Sequence, residues 1–354
     1  MNKMTSRERV LRVLEGDIPD RVPLYAFSVD PKFFRVLGNG DPFKTFERLG
    51  LDAFPIRAQN WCQGIPLLAS LRMDIPEEMM TAGGAFGGWH GIDEFGRVWE
   101  RGSYVGGALK TEEDIEKYIP PLRLEERTDP KIVQRMKDQH GDKARCLNFH
   151  SGPFGLTIES MGFENFFLTF HDNLDFVMEL VRRRTEWFIK VARYVVELGA
   201  DFVVMGDDVA YKNKTFISPK KFEELVIPLY KRITEELKVP VIWHSDGYVT
   251  PLLRGALEAG IRGIHPLEPT AGVDLGEVKK NYGDKLALVG NVDCVYVLCQ
   301  SDLEEVRKEV RRCMSQAKEG GGYMLSDSNS LHVGCNIEAV LEMYRYAKEI
   351  GEYR

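Results

Sequence analysis

The sequence lacks the features that mark several large classes of protein. Its six cysteines include no Cys-x-x-Cys pair and no disulfide-like spacing, which excludes a cysteine-stapled secreted scaffold. No apolar run approaches the length of about 18 residues that a membrane span requires, and residues 1–8 are too polar for a secretory signal. The net charge of −7 argues against a surface for nucleic acid or anionic membranes. We therefore expect a cytoplasmic protein that binds neither nucleic acid nor membranes.

Short apolar segments alternate with amphipathic helical stretches along most of the chain. The candidate strands are residues 22–27, 53–56, 145–149, 202–205, 239–243, 263–267, 286–289 and 323–325. Apolar strands separated by helices predict a parallel sheet, and eight such strands close a (β/α)8 TIM barrel. An open doubly wound sheet is the competing fold, but no Gly-x-Gly-x-x-Gly follows any candidate strand, which disfavours its dinucleotide-binding form.

The 354 residues are expected to form a single barrel domain, residues 1–354, with two additions. Thr5 and Glu8 have the spacing of a capping box, which predicts a helix before the first strand. Residues 82–110 mix glycine with aromatic and β-branched residues, a pattern that predicts an inserted β-hairpin or meander over one end of the barrel.

Acidic residues and histidines collect where the candidate strands end. Asp207 and Asp208 follow the fourth strand, and His244 and Asp246 follow the fifth. Barrel enzymes place their chemistry at these carboxyl ends, so the side chains should meet at one mouth. Each residue also has a purely structural interpretation, in which the aspartates are loop or helix caps and His244 is a core histidine.

Two carboxylates and one imidazole make a plausible set of metal ligands at this mouth. We assign them to Asp208, Glu223 and His244, although Glu223 could equally be an acid favoured by the N-terminus of its helix. Asp207 or Asp246 could also replace Asp208 in this set. Such a set suits one Zn²⁺ per chain with a position open for substrate, and Fe(II) or Mn(II) remain alternatives. Without a cysteine ligand, the ion would favour an oxygen substrate over a thiol. His332 and Cys335 lie in a loop and are not expected to be ligands.

Eight short segments together resemble the uroporphyrinogen decarboxylase superfamily along nearly the whole chain. They are TSRERV at 5–10, DRVP at 20–23, SGPF at 151–154, MGDD at 205–208, FISP at 216–219, HSDG at 244–247, GNVD at 290–293 and GGGY at 320–323. The resemblance implies a TIM barrel that is either a porphyrinogen decarboxylase or a zinc methyltransferase serving a corrinoid protein.

Departures from the patterns of the superfamily narrow this choice. The decarboxylases carry an arginine-rich segment after the first strand, where this chain has FSVDPK at 27–32, and a tyrosine where it has Glu159. Thiol-methylating members have a His-x-Cys motif and a later cysteine. This chain has His244-Ser245-Asp246 and, at the end of the eighth strand, Asn329. Neither a porphyrinogen nor a thiol is therefore expected as substrate.

The spacing of the three proposed ligands resembles the ether-cleaving branch of the superfamily. There, glutamate, glutamate and histidine are separated by fourteen and twenty residues, as are Asp208, Glu223 and His244 here, with aspartate replacing the first glutamate. The resemblance implies a methyltransferase that cleaves the methyl ether of a methoxylated aromatic. The methyl group would pass to the Co(I) of a corrinoid on a separate partner protein, since no length remains for a cobalamin-binding domain.

Further residues receive roles under this hypothesis. Asp207 and Asp246 would assist catalysis by orienting His244. The expected substrate-binding residues are Tyr25, Phe27, Trp61, Phe154, Glu159 and Asn329. The alternatives are a lyase of the same fold that acts on a carboxylated substrate, and an inactive barrel that serves only as a partner in a corrinoid complex. A homo-oligomer is compatible with the sequence.

Overall fold

Seven parallel strands form the main sheet of the protein. The computed structural model describes residues 4–57, 90–101 and 103–353. The strands lie side by side in chain order: β1 (Ala53–Arg57), β5 (Ala144–Phe149), β6 (Phe202–Gly206), β7 (Val241–His244), β8 (Gly263–His265), β9 (Ala287–Val292) and β10 (Tyr323–Asp327). Parallel neighbours that are consecutive in the chain, with helices between most of them, are the repeat expected of a β/α barrel.

The expected first strand is a short extended segment that joins the two edges of this sheet. Leu325 of β10 donates its N–H to the carbonyl of Pro23 at 2.9 Å and accepts the N–H of Tyr25 at 3.0 Å. On the other side, Asp52 donates its N–H to the carbonyl of Leu24 at 2.9 Å. Pro23 has no N–H to offer, which limits the ladder to these few bonds. The segment nevertheless takes the eighth place, and the barrel-like α/β fold is confirmed.

A small antiparallel sheet is inserted between β1 and β5, as predicted. Its strands are β2 (Gly91–Ile92), β3 (Arg97–Glu100) and β4 (Ser103–Gly107), paired in the order of a meander; the predicted residues 82–89 lie outside the described part of the chain. A Cβ at Gly107 would lie 2.2 Å from the carbonyl oxygen of Ser160, so only glycine permits this contact. The meander therefore packs against the helix that contains Ser160.

Most helices lie between the strands at the predicted positions. They are α1 (Ser6–Glu15), α2 (Pro31–Gly38), α3 (Pro42–Leu49), α4 (Asp114–Lys117), α5 (Leu124–Arg127), α6 (Pro130–Gln139), α7 (Pro153–Met161), α8 (Phe163–Asp172), α9 (Leu174–Leu198), α10 (Pro219–Leu225), α11 (Ile227–Leu237), α12 (Leu253–Glu258), α13 (Leu275–Tyr282), α14 (Leu303–Ala317) and α15 (Ile337–Ile350). Residues 219–237 form two helices and not one, because Pro228 has no N–H for the preceding turn. In the described part of the chain, no helix combines the length and the apolar character of a membrane span.

One end of the barrel is closed by α1. Its first turn has the predicted capping box, with Glu8 N–H on the Thr5 hydroxyl at 3.1 Å and Thr5 N–H on the Glu8 carboxylate at 2.8 Å. Its apolar residues Val10, Val13 and Leu14 join the inward-facing strand residues in one buried cluster. The amino ends of the strands are thereby sealed, which leaves the carboxyl ends for chemistry.

Candidate metal centre

Three polar side chains meet at the carboxyl ends of β6 and β7. His244 Nε2 lies 3.6 Å from Asp246 Oδ1 and 4.0 Å from Asp208 Oδ1. One ligand atom from each residue falls within 4.8 Å of the other two. We call Asp208, His244 and Asp246 the mouth cluster. Two carboxylates and an imidazole at these separations could hold a divalent cation after small side-chain movements.

The surroundings of Asp246 fit a cation. Its Oδ2 accepts a hydrogen bond from Asn329 Nδ2 at 2.5 Å. Its Oδ1, which faces His244, is buried and has no hydrogen-bond partner among the described residues. A buried carboxylate oxygen without a donor is destabilising by about 1–3 kcal/mol, and a cation would remove that penalty.

The electrostatics of the mouth also favour a cation. Burial, together with the charges of Glu159 and Glu268, raises the pKa of Asp208 to about 7. Burial and the charges of Asp208 and Glu268 raise the pKa of Asp246 well above its ordinary value. These shifts mean that the ionised carboxylates repel one another in the metal-free protein.

His244 is held as a neutral imidazole. Burial lowers its pKa to about 3, and its ring stacks on Phe27 with the ring centres 4.0 Å apart. Its Nδ1 lies 2.6 Å from His265 Nδ1, a distance that requires a single shared proton. With that proton on His244, Nε2 has a free lone pair directed at the two carboxylates. His265 therefore orients the proposed ligand, a role typical of residues behind a metal site.

Asp207 lies behind the mouth cluster. Its fully buried carboxylate accepts the N–H groups of Phe154, at 3.2 Å, and of Gly155 in the first turn of α7, and the hydroxyl of Tyr230 at 2.9 Å. Its contact with His244 is through the backbone, N–H to carbonyl, at 2.7 Å. Successive residues of an extended chain point to opposite sides, so Asp207 and Asp208 cannot both face the mouth. Through these side-chain hydrogen bonds, Asp207 ties the end of β6 to α7 and α11.

Glu223 is not part of the mouth cluster. Its carboxylate lies 4.0 Å from Arg254, and its side chain is 41% exposed. The residue before it, Phe222, is fully buried and stacks on Trp243 with the ring centres 5.8 Å apart. Since successive residues on a helix are rotated by about 100°, Glu223 lies on a different face of α10 from Phe222, toward Arg254. Asp246 takes its place beside Asp208 and His244.

The expected substrate-binding residues divide into two groups. Phe27 and Asn329 contact members of the mouth cluster, as described above. Glu159 lies nearby, 32% exposed, and accepts hydrogen bonds from Arg97 at 3.1 Å and from Ser151 at 3.2 Å.

The second group lies away from the mouth or beyond the described residues. Tyr25 is buried inside the barrel, where its hydroxyl donates to Asn148 at 3.1 Å. Phe154 is fully buried and packs edge-on against Phe166. These two aromatic side chains are core, because the strand and helix positions that hold them face inward. Trp61 lies outside the described residues.

Two features of the mouth were not predicted from the sequence. Arg97 of the meander is buried, with its guanidinium on Asp93 at 2.6 Å and on Glu159 at 3.1 Å; no signal distinguished it from other arginines. Phe163, Tyr211 and Phe216 form an aromatic group, with ring centres 4.7–6.2 Å apart. Tyr211 is half exposed and its carbonyl accepts the N–H of Tyr248, just beyond Asp246. The position of Tyr211 in the loop after β6 is the sequence feature that could have indicated its place at the mouth.

The chain is similar to known proteins of two kinds. It is 24% identical over 222 residues to the methylcobamide:CoM methyltransferase MtaA of Methanosarcina barkeri, a match that covers 62% of this chain and 61% of that relative. It is 24% identical over 241 residues to the uroporphyrinogen decarboxylase of Methylococcus capsulatus, over 63% of this chain and 67% of the relative. The chain thus spans about three fifths of the length of MtaA.

Structural and family comparisons agree with these matches. A solved methyltransferase from Methanosarcina mazei has the same fold, with a TM-score of 0.73 over 98% of this chain and 99% of that one, at 19% identity. The family described as uroporphyrinogen decarboxylase (URO-D) matches residues 94–350, well over half of the chain. The superfamily expected from the sequence motifs is confirmed: the protein belongs to the uroporphyrinogen decarboxylase (URO-D) family.

Proposed function

We propose that this protein is a zinc-dependent methyltransferase. It would take the methyl group of an aryl methyl ether and pass it to the Co(I) of a corrinoid carried by a separate protein. The observation that carries the proposal is the mouth cluster, in which two carboxylates and an imidazole converge. One oxygen of Asp246 within it has no hydrogen-bond partner in the part of the chain that the structure describes. The similarity to MtaA, a protein named for methyl transfer involving a cobamide, supports the reaction class.

The donor set supports an ether rather than a thiol. Asp208, His244 and Asp246 offer oxygen and nitrogen, whereas a thiolate-rich site would suit a soft sulfur substrate. When bound, zinc would supply a Lewis acid that withdraws charge from the ether oxygen and makes a phenolate an acceptable leaving group. The two carboxylates balance the charge of the ion, so the occupied site is suited to an uncharged ether.

The residues around the mouth cluster would position the ligands and exclude water. Asn329 fixes one oxygen of Asp246 and leaves the other directed at His244. His265 holds the proton of His244 at Nδ1. Phe27 covers one face of the imidazole ring. Together these contacts keep Nε2 deprotonated and shielded on one side from solvent.

The aromatic group of Phe163, Tyr211 and Phe216 supports an aromatic substrate. An aryl ring needs an apolar wall beside the reacting atom, and Tyr211 is half exposed on the loop that meets the segment after Asp246. Replacing Tyr211 by alanine should raise the KM for a methoxyarene with little change in kcat, because its ring would bind the aryl group equally in the ground state and the transition state. A fall in kcat with unchanged KM would contradict this role.

Metal analysis of protein purified without a histidine tag tests the site. We expect zinc to be retained by the wild-type chain and its content to fall by about one ion per chain on His244→Ala. Glu223→Gln is the matched control, since it also removes a charge after β6 but lies outside the mouth cluster. Loss of zinc from Glu223→Gln but not from Asp246→Asn would restore Glu223 as the ligand.

Methyl transfer from methoxyphenols to free cob(I)alamin under anaerobic conditions tests the reaction. We expect the cob(I)alamin absorbance to fall only with zinc-loaded protein, and the rate to drop by at least about 100-fold on His244→Ala. Metal-free protein that instead releases CO₂ from a carboxylated substrate would sink the proposal and favour the lyase. Partner binding without turnover of any methoxyarene would favour the inactive barrel.

A further inference from the structure

A second group of metal-binding side chains lies at the rim of the barrel, in the loops after β9 and β10. Cys299, His332 and Cys335 each place one ligand atom within 4.8 Å of the other two. Cys299 Sγ lies 3.9 Å from His332 Nε2. We call these three residues the rim cluster. They share no residue with the mouth cluster.

A backbone oxygen supplies a fourth donor atom. The carbonyl oxygen of Cys294 lies 3.0 Å from His332 Nε2, 3.2 Å from Cys299 Sγ and 3.8 Å from Cys335 Sγ. In a tetrahedral zinc site with bonds of about 2.0–2.3 Å, the donor atoms lie about 3.3–3.8 Å apart. Four of the six separations among these two sulfurs, one nitrogen and one oxygen are therefore already close to those of such a site, and the other two are within 4.8 Å.

Hydrogen bonds outside the rim cluster hold the two loops in this arrangement. Asp293 Oδ1 accepts the N–H groups of Val295 and Tyr296, each at 2.7 Å, and shapes the turn after β9. Asn336 donates its N–H to the carbonyl of Leu298 at 2.7 Å and ties the second loop to the first.

A lysine side chain also holds the second loop, the one after β10, in place. The ammonium group of Lys32, in the first turn of α2, donates to the carbonyls of Val333 and Cys335. The N–H of Cys335 donates to the carbonyl of His332 at 3.0 Å, which closes a tight turn between two members of the rim cluster. The fold itself thus positions the metal-donor atoms, so ordering them on binding an ion would cost little conformational entropy.

We propose that the rim cluster binds a thiophilic divalent ion, zinc foremost, through Cys299, Cys335, His332 Nε2 and the carbonyl of Cys294. Thiolate and imidazole are the ligands that select such ions, unlike the oxygen-rich mouth cluster. On binding, each thiol releases its proton to solvent and forms a bond from sulfur to the metal.

The protonation of His332 would also change. Gly334 donates its N–H to His332 Nδ1 at 3.1 Å, so the ring proton lies on Nε2 in the metal-free protein. The ion displaces that proton, which moves to Nδ1, and the contact with Gly334 opens.

An ion at the rim would clamp the loops after the last two strands of the barrel to each other. Those loops carry three exposed apolar side chains, Val295, Tyr296 and Val333. The clamp would therefore stabilise the part of the rim that presents apolar surface to solvent. It would act on loop geometry and unfolding temperature, independently of the chemistry at His244.

Cobalt(II) is the probe that separates the two sites. Thiolate bound to Co²⁺ gives an intense sulfur-to-metal charge-transfer absorption, whereas the mouth cluster contains no sulfur ligand. We expect the reduced full-length protein to develop this absorption on titration with Co²⁺. It should be lost in Cys299→Ser and in His332→Ala, with the metal content reduced by about one ion per chain. His332 is exposed, so its variant should fold.

Two controls make the test decisive. Cys313→Ser removes a buried cysteine of α14 that lies outside the rim cluster and should keep the absorption. His244→Ala should also keep it, so the rim site can stand or fall without the proposed methyltransferase site. No charge-transfer absorption in fully reduced wild-type protein, or a disulfide between Cys299 and Cys335 with no metal bound, would overturn the proposal. So would absorption that survives in both rim variants.

Discussion

Replacing Asp246 by asparagine should change the stability of the protein in opposite directions with and without metal. In the metal-free protein, Oδ1 of Asp246 is a buried carboxylate oxygen without a hydrogen-bond partner among residues 4–57, 90–101 and 103–353. It also faces Asp208 and Glu268, whose charges raise its pKa. An amide has the same shape, carries no charge and can donate a hydrogen bond to the neighbouring Asp208 or His244.

The size of the expected stability change in the metal-free protein follows from the environment of Asp246 Oδ1. Relief of one unsatisfied buried group is worth about 1–3 kcal/mol, which corresponds to a rise in Tm of roughly 2–8 °C for the metal-free variant. The folded-state pKa of Asp246 is raised, so its ionisation destabilises the fold as pH increases from the unfolded value upward. The advantage of the variant should therefore be small near pH 4 and grow as the pH rises through the raised folded-state pKa of Asp246.

With zinc bound, the effect of Asp246→Asn on stability has the opposite sign. The carboxylate is then a ligand, and its loss should weaken zinc binding by at least about 100-fold, or roughly 2.7 kcal/mol. Thermal unfolding at pH 8 with EDTA and with excess zinc, together with zinc titration calorimetry, measures both effects. Glu223→Gln is the control and should change neither. An Asp246→Asn variant that is less stable without metal, yet binds zinc as tightly as the wild type, would refute the reasoning.

Three further perturbations test the parts of the fold that support the site. His265→Ala should weaken zinc binding by about 10–100-fold while the protein stays folded, because the proton on His244 loses its acceptor; unchanged calorimetry would contradict this. Asp52→Ala should destabilise the fold by about 3–5 kcal/mol in urea unfolding, because Asp52 is fully buried and binds Arg21 at 2.8 Å. Arg21 and other arginine contacts lower the pKa of Asp52 against the opposing effect of burial, so this stabilisation should fade as pH falls below about 4. Gly107→Ala should loosen the meander, since its Cβ would meet the Ser160 carbonyl, and faster proteolysis near residue 107 should report it.

The barrel could be predicted from the sequence because its strands are apolar runs separated by amphipathic helices. That alternation located the seven strands of the sheet, and a separate pattern of glycine with aromatic and β-branched residues located the small meander. The rule that parallel strands end at one mouth then brought Asp208 and His244 into the same region. Both steps depend only on local residue patterns and on a general property of the fold.

The membership of the mouth cluster was decided by side-chain direction, which the sequence does not state. Glu223 matches a spacing, but the inward face of its helix belongs to Phe222, so its carboxylate turns to Arg254. Asp207 has the same sequence context as Asp208, but the alternation of an extended chain sends it to the start of α7.

The rim cluster depended still more on tertiary structure. Cys299 and Cys335 are 36 residues apart, and each lies in a loop with no metal-binding motif. They meet because β9 and β10 are neighbours, because Asn336 ties the two loops together, and because Lys32 fixes the second loop. Local patterns in the sequence determined where the barrel opens. Which side chains converge there was decided by the packing of distant segments, since convergence depends on the direction and partners of each side chain.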